Sequence, residues 1–370
     1  MSWNSVIGQE RVKRMLRTAI ERKQIAHSYL FFGQAGIGKE ALALEFAKTL
    51  NCESGGIEAC GVCRSCKQFD TLQHPDIYLI FPLPTGSNEK AGDNPYEKLS
   101  EDQLGIIREE LQKKVQDPYY VIEIPKANFI KINSIREVKR QASLAHGTSR
   151  YKIFIILNAE SMNAESSNSF LKTLEEPLPD TIFLLTTYDK DLLLPTIVSR
   201  CQQIQCDLLS EEEIQEALIN RDNIEEGHAK LLARLANGSY GVARRLSSED
   251  MAAQQDEVIN FLGYSVTKQY SKILEFIEEL VRRDRLELYY WLEIMQVWLR
   301  EAMISQATGK ETTQLFQPER LRKFLQRYSH AHPEKALAAI DTTIAQIDKN
   351  VYLPLALFSL SMELYHSIAE

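Results

Sequence analysis

The chain has 370 residues, an ordinary apolar content of 44% and a net charge of −8. Its length exceeds the roughly 250–300 residues at which a single core stops growing, so two or three domains are expected. The acidic balance argues against a protein that binds duplex DNA alone, because such proteins normally carry a basic face. We expect a cytoplasmic protein, since no apolar run reaches the roughly 18 residues of a membrane span and no signal-peptide core is present.

Helix and strand patterns alternate through the first half of the chain. Residues 6–28 have the spacing of an amphipathic helix, and a short apolar strand at 28–32 precedes a glycine-rich loop and a helix at 40–50. Two more buried strands are predicted at 152–157 and 181–187, with a helix between them. This alternation favours an α/β fold in which helices cover both faces of a parallel sheet.

The glycine-rich loop departs from a phosphate-binding loop at one position. The pattern GxxxxGK[ST] supplies N–H groups and a lysine for the phosphates, and a hydroxyl for magnesium. Here Gly33, Gly36, Gly38 and Lys39 are present, but Glu40 replaces the hydroxyl residue. Because like charges at close range repel by about 4 kcal/mol, we expect ATP to bind weakly or not at all. A magnesium ion ligated by Glu40 would offset part of this repulsion.

Four cysteines lie close together directly after the predicted helix at 40–50. They are Cys52, Cys60, Cys63 and Cys66. In a cytosolic chain this clustering favours a metal over disulfides, and four sulfur ligands favour structural Zn²⁺ over a catalytic ion. Unmetallated thiols and an iron–sulfur centre are the alternatives. Cys201 and Cys206 lie outside the cluster and are expected to be buried apolar residues.

The rest of the chain divides into an insertion and a helical region. Residues 82–120 begin with a polar, turn-rich stretch, which predicts a surface insertion, partly mobile, in the α/β domain at 1–206. Strand patterns nearly vanish after this domain, and "SEEEI" at 210–214 is a helix-start signal. We expect a small helical domain at 207–252 and a larger one at 253–370.

The strand at 152–157 ends without the usual acidic residues. Enzymes that hydrolyse ATP on this fold place an aspartate there for the metal, and often a glutamate that activates water. This chain has Asn158, Ala159 and Glu160. Glu160 lies one position beyond the base, so we expect it on the other side of the strand as a solvated carboxylate at a helix start. Together with Glu40, these residues predict that hydrolysis has been lost.

Several stretches resemble the AAA+ clamp-loader family of bacteria, and with the cysteine cluster they are more similar to its delta-prime branch than to its ATP-hydrolysing gamma/tau branch. The stretches are "VIGQE", "HSYLFFGQAGIGK", "NSFLKTLEEPLPDTIFLLTT" and "PTIVSRC". The resemblance implies an AAA+ domain with an inserted zinc module, a helical lid and an all-α collar. Where the family's GSxR pattern has arginine, "NGSYGVARRL" has Gly241, with Arg244 and Arg245 one turn later. Thr187 matches a sensor position.

The "SRC" stretch supplies the remaining candidate residues, Ser199 and Arg200. Arg200 resembles the arginine finger of AAA+ rings, which acts on the phosphate bound to a neighbouring subunit. Ser199 is expected to position the turn that carries this arginine. The resemblance therefore implies a non-hydrolysing subunit whose partners are gamma/tau and delta subunits and, through the assembly, the sliding clamp and primed DNA. The alternatives are a gamma/tau-like motor, in which Glu40 ligates magnesium and Glu160 is the base, and a zinc-dependent DNA-binding factor on a degenerate AAA+ scaffold.

Overall fold

The computed structural model describes residues 3–144, 149–247, 251–283, 285–308, 318–328, 330–348 and 351–369. The chain forms two compact units. The first comprises Met1–Ala217 and Asn237–Gly241, and the second comprises Leu218–Ala236 and Val242–Glu370. Every strand in the described part of the chain lies in the first unit, and the second unit is built from helices. No helix within the described ranges is both long and apolar enough to cross a membrane.

One parallel sheet forms the centre of the first unit. Its strands are β1 (Ser28–Phe32), β2 (Ile77–Ile80), β3 (Lys152–Ile156), β4 (Thr181–Thr187) and β5 (Gln202–Gln205). They lie in the order β2-β3-β4-β1-β5, so β1 is hydrogen-bonded to β4 and to β5. The three predicted strands are confirmed as β1, β3 and β4, whose residues are almost all buried. The edge strands β2 and β5 are partly exposed and carry a weaker apolar pattern.

Sixteen helices are described along the chain. In the first part they are α1 (Glu10–Glu21), α2 (Lys39–Leu50), α3 (Arg64–Phe69), α4 (Glu101–Gln116), α5 (Ile132–Ala142), α6 (Ala164–Glu175), α7 (Pro195–Val198) and α8 (Glu211–Asp222). Later in the chain they are α9 (Glu226–Leu235), α10 (Tyr240–Leu246), α11 (Met251–Val266), α12 (Tyr270–Val281), α13 (Arg285–Thr308), α14 (Pro318–Arg327), α15 (Pro333–Asp348) and α16 (Leu353–Ile368).

Alternate side chains of the strands pack on helices at opposite faces of the sheet. On one face the ring of Tyr29 in β1 meets Phe46 of α2 edge to face, with the ring centroids 5.2 Å apart. On the other face Phe183 of β4 meets Phe170 of α6 in the same way at 5.4 Å. Because successive strand residues point to opposite faces, both faces of an interior strand must be apolar. The predicted parallel sheet with helices on both faces is confirmed.

The first predicted helix is shorter than its apolar pattern. The pattern covers residues 6–28, but α1 is limited to Glu10–Glu21. Gly8 and Gln9 before it and Lys23 after it all have positive φ, between 54° and 60°, which is incompatible with a continuing right-handed helix. The predicted start of α8 is confirmed by a capping box, in which Ser210 and Glu213 bond each other's backbone N–H groups at 3.2 and 2.8 Å.

The second unit has its own aromatic core. Trp291 and Trp298 of α13 are both buried. The ring of Trp291 packs edge to face on Phe261 of α11 with centroids 5.0 Å apart, and Trp298 packs on Phe324 of α14 at 4.5 Å. Aromatic side chains of this size bury large apolar areas, so these contacts hold α11, α13 and α14 together.

Candidate functional site

The glycine-rich loop joins β1 to α2 and is closed around its own lysine. Gly33, Gly36 and Gly38 have φ values of 140°, 76° and 101°, which residues with a Cβ rarely adopt. The Lys39 side chain is buried, and its ammonium donates hydrogen bonds of 2.7 Å to the carbonyls of Gly33 and Gln34. Burial lowers the pKa of Lys39. The lysine therefore contacts the backbone of its own loop where a phosphate loop would direct it to the ligand.

The segment that begins α10 packs directly on this loop. The Ser239 hydroxyl donates to the carbonyl of Ala35 at 2.7 Å, and the N–H of Gly241 donates to the carbonyl of Gly36 at 3.0 Å. A methyl group added at Gly36 would lie 2.4 Å from the Ser239 oxygen and 2.8 Å from Gly241 Cα. Gly241, which stands where the resembling family has an arginine, therefore serves here as a close backbone contact.

Glu40 is neutralised by a lysine from the insertion. Helix α4 places Lys114, whose side chain is only 1% exposed, in an ion pair with Glu40. The same ammonium donates to the carbonyls of Pro118 at 2.9 Å and Tyr120 at 2.7 Å. An ammonium has three protons, and these three acceptors use all of them. The carboxylate at the metal-ligand position of the loop thus holds a cation supplied by the protein.

Tyr119 fills the neighbouring space above the start of α2. Its hydroxyl accepts a hydrogen bond of 2.8 Å from the N–H of Ile7, and its ring packs edge to face on Tyr240 with centroids 5.0 Å apart. A methyl group added at Gly38 would lie 2.7 Å from the same hydroxyl oxygen. The sequence predicted a surface insertion at 82–120 and gave no signal for this contact, because Lys114 and Tyr119 belong to no apolar repeat.

The residues after β3 supply no acid at the usual metal position. Asn158 is in the left-handed region at φ 51°, and its N–H donates to the Thr186 hydroxyl at 3.3 Å. Ala159 is fully buried. An uncharged amide and a methyl group cannot balance the charge of a divalent cation, so neither residue is suited to hold one.

The expectation that Glu160 is a solvated carboxylate is wrong. Its oxygen Oε2 is buried and has no hydrogen-bond partner within the described residues. Burial raises the pKa of Glu160 to about 7, although a hydrogen bond with the Thr187 side chain and the nearby charge of Lys39 both lower it. The strand alternation does not extend this far, because Asn158 is left-handed and Ala159–Ser161 form a 3-10 turn. Glu160 therefore turns back toward the loop.

Three other candidate residues, Arg244, Arg245 and Thr187, also have polar partners in the structure. Arg244 pairs with Asp222 at 3.3 Å, and Arg245 pairs with Glu293 at 2.6 Å. The hydroxyl of Thr187 donates to the carbonyl of Asp189 at 2.8 Å, which closes the turn after β4. The two arginines therefore form ion pairs, and Thr187 helps to form a turn.

Arg200 lies between α7 and β5 with 34% of its side chain exposed. Its Nη2 pairs with Glu175 Oε1 at 2.6 Å, and its Nη1 donates to the carbonyl of Thr196 at 2.8 Å. The Arg200 carbonyl accepts from the Ser28 hydroxyl at 2.7 Å. The Ser199 hydroxyl donates to the same Thr196 carbonyl at 3.2 Å, so it helps to close the turn that carries Arg200. The partner Glu175 was not predicted from the sequence.

The four clustered cysteines converge on one point. The sulfur atoms of Cys52, Cys60, Cys63 and Cys66 all lie within 4.8 Å of one another. Backbone N–H groups point at three of these sulfurs at 3.3 to 3.4 Å. Convergent thiols with N–H donors around them are typical of a structural metal site, so the cluster can hold a metal ion. Cys201 and Cys206 are buried outside it, as predicted.

The parallel sheet, the glycine loop between its first strand and the next helix, and the helical region that follows define an AAA+ nucleotide-binding fold. The family described as "DNA polymerase III, delta subunit" matches residues 8–210, which is more than half of the chain. The chain therefore belongs to this family, which is one of clamp-loader proteins.

Two relatives have sequences similar to this chain over about 260 residues. The delta-prime subunit of DNA polymerase III from Bacillus subtilis is 32% identical over 261 residues, covering 70% of this chain and 65% of that protein. The tau subunit from Escherichia coli is 30% identical over 259 residues, covering 68% of this chain and 33% of that protein. The match thus spans less than two thirds of either relative. A solved gamma-subunit-related protein from Thermotoga maritima aligns over 96% of this chain and 99% of its own, with a TM-score of 0.41 and 16% identity.

The raised pKa of Glu160 predicts a pH-dependent effect of Glu160→Gln on stability. Because the folded protein holds this proton up to a pKa of about 7, the contribution of the carboxyl is fully present below its unfolded pKa of about 4.3 and is lost as the pH rises through 7. We expect equal thermal midpoints for the variant and the parent at pH 4 and a more stable variant at pH 8, by roughly 3–4 kcal/mol. The exposed neighbour of α6, Glu176, gives the control Glu176→Gln. A difference that does not change with pH would contradict the burial of this carboxyl.

Lys114→Met tests the contact between the insertion and the loop. The substitution keeps an unbranched chain but leaves the Glu40 carboxylate and two carbonyls without their cation, so we expect a loss of about 3 kcal/mol in the free energy of unfolding. Urea titration measures this loss. The adjacent Lys113 is half exposed and pairs with Glu110, so Lys113→Met should have a much smaller effect. Restoring stability with Glu40→Gln in the Lys114→Met background would identify the unpaired carboxylate as the cause.

Proposed function

We propose that the chain is a non-hydrolysing clamp-loader subunit that provides Arg200 to the ATP site of a neighbouring gamma/tau subunit. The observation that carries this proposal is that protein side chains fill the nucleotide site. Lys114 forms an ion pair with Glu40, and Tyr119 occupies the space above Gly38. A nucleotide would have to displace both side chains and overcome the repulsion from Glu40. ATP therefore binds to this chain weakly or not at all.

The position of Arg200 in the sheet supports an action on another subunit. The glycine loop follows the last residue of β1, whereas the Arg200 carbonyl is bonded to Ser28, the first residue of the same strand. A five-residue strand is roughly 16 Å long, so the loop and the arginine lie near opposite ends of β1. Arg200 is too far from its own loop to serve it. Its exposed guanidinium is suited to a phosphate on an adjacent protein, since it stays charged and offers a planar fork of donors.

The remaining parts of the proposal follow the family. We assign residues 207–252 to the lid and 253–370 to the oligomeric collar, through which the chain joins gamma/tau and delta subunits in the cytoplasm. The assembly loads the sliding clamp onto primed DNA, and this subunit contributes position and charge. The net charge of −8 is consistent with DNA contact being shared with other subunits.

One observation favours a rival function, that of an ATP-hydrolysing motor of the gamma/tau type. Glu160 has a pKa raised to about 7 and lies near Lys39, as a catalytic base would. The carboxylate has no metal-binding aspartate beside it, however, because Asn158 and Ala159 precede it. ATP turnover by the purified chain, abolished by Lys39→Ala, would establish the motor and overturn the proposal.

We further propose that the four-cysteine cluster binds structural Zn²⁺. The cluster offers four sulfur ligands and no open position, and the buried Cys66 has a raised pKa, so that a thiolate there requires a cation. We expect about one zinc ion per chain by elemental analysis. Cys63→Ser should lower both the zinc content and the thermal midpoint, whereas Cys201→Ser should leave the zinc content unchanged. Full stability of the protein after exhaustive chelation would contradict a structural role.

Arg200→Ala tests the proposed function in the assembled loader. With the clamp and primed DNA present, we expect the rate of ATP hydrolysis at the adjacent site to fall by about 10³-fold, because a finger in trans contributes about 10³ to 10⁵ in rate. If several ATP sites in the assembly hydrolyse ATP, the loss of activity at one site is measured as the rate of clamp loading in a single turnover. The matched control is Arg221→Ala, which removes an arginine from α8. An unchanged rate with Arg200→Ala would remove the finger role.

A further inference from the structure

We propose that Glu175 is a positioning residue that holds the guanidinium of Arg200 in the orientation it needs to meet a neighbour's phosphate. This inference rests on the proposed finger role. Glu175 is the last residue of α6, and its contact with Arg200 spans 25 residues of sequence. It is therefore set by the tertiary fold and not by a local turn.

The guanidinium is restrained at two points, and the backbone of Arg200 at a third. Glu175 accepts from Nη2, the Thr196 carbonyl accepts from Nη1, and the Ser28 hydroxyl fixes the backbone carbonyl of Arg200. Because the guanidinium is planar, two acceptors on its two terminal nitrogens define the direction of its plane. A free arginine side chain loses rotamer entropy when it binds a phosphate, and these contacts remove much of that cost in advance.

Stability alone does not account for the pair. The side chains of Arg200 and Glu175 are 34% and 45% exposed, and ion pairs at such exposure contribute little to stability. The position of Glu175 is also unfavourable for a carboxylate, because the C-terminal end of a helix carries the negative end of the dipole. The carboxylate of Glu175 is therefore best explained by its contact with the Arg200 guanidinium.

The same carboxylate reduces the positive charge that the guanidinium presents. Holding the guanidinium in place should raise the rate of ATP hydrolysis, whereas neutralising its charge should lower that rate. Two substitutions separate these effects. Glu175→Gln keeps an acceptor oxygen but removes the charge, whereas Glu175→Ala removes both. If orientation dominates, the alanine variant loses rate and the glutamine variant retains most of it. If neutralisation dominates, both variants become faster than the parent.

The experiment measures ATP hydrolysis by the assembled loader with clamp and primed DNA, for full-length variants whose thermal midpoints match the parent. We expect Glu175→Ala to lower kcat by about tenfold with little change in KM, and Glu175→Gln to stay within about twofold. The control is Glu176→Ala, which removes the exposed carboxylate one residue later and should leave kcat unchanged. In the Arg200→Ala background, Glu175→Ala should have no further effect, since the residue acts only through the arginine.

Each outcome separates this inference from the proposed function. If Arg200→Ala slows the loader but Glu175→Ala does not, or if both Glu175 variants exceed the parent rate, the positioning role is overturned and the finger role stands. If Arg200→Ala leaves the rate unchanged, the finger role itself fails. If Glu175→Ala slows the loader equally in the parent and Arg200→Ala backgrounds, the residue acts on something other than the arginine and the inference is also overturned.

Discussion

The contact between Lys114 and Glu40 decides what the glycine loop can do. Placing a lysine that is only 1% exposed beside a carboxylate requires removing both charges from water, which is unfavourable unless every donor finds an acceptor. Here the carboxylate and the carbonyls of Pro118 and Tyr120 satisfy the ammonium completely. The insertion is thereby fixed against the loop, and the loop keeps its shape with protein groups in the space where a nucleotide would bind.

The two ends of β1 lie in different surroundings. At the end of β1 that carries the loop, Lys39 is buried against its own backbone and Tyr119 covers Gly38. At the other end of the strand, Ser28 anchors the turn that presents Arg200. The short strand β1 thus connects the glycine loop at one end with Arg200 at the other. The sheet serves as a rigid mount, since β1 is hydrogen-bonded on both sides.

The carboxylates around these two ends show how environment separates residues of the same type. Glu40 is paired with a buried cation, Glu160 has a buried oxygen and a pKa raised to about 7, and Glu175 is an exposed partner of Arg200. Their roles differ because of desolvation, nearby charge and geometry, which are the factors that shift carboxylate behaviour in proteins. Sequence position alone does not distinguish them.

The sequence by itself determined the interior strands, the glycine loop and the cysteine cluster, because each depends on residues close together in the chain. Buried strands such as β1 and β4 are continuous apolar runs, and the four cysteines lie within one short segment. Only the tertiary structure decided the partners of Glu40 and Arg200 and the burial of Glu160. Lys114 is 74 residues from Glu40 in the chain, and no periodic pattern predicts a contact at that separation. The contact forms only when the insertion packs against the sheet domain.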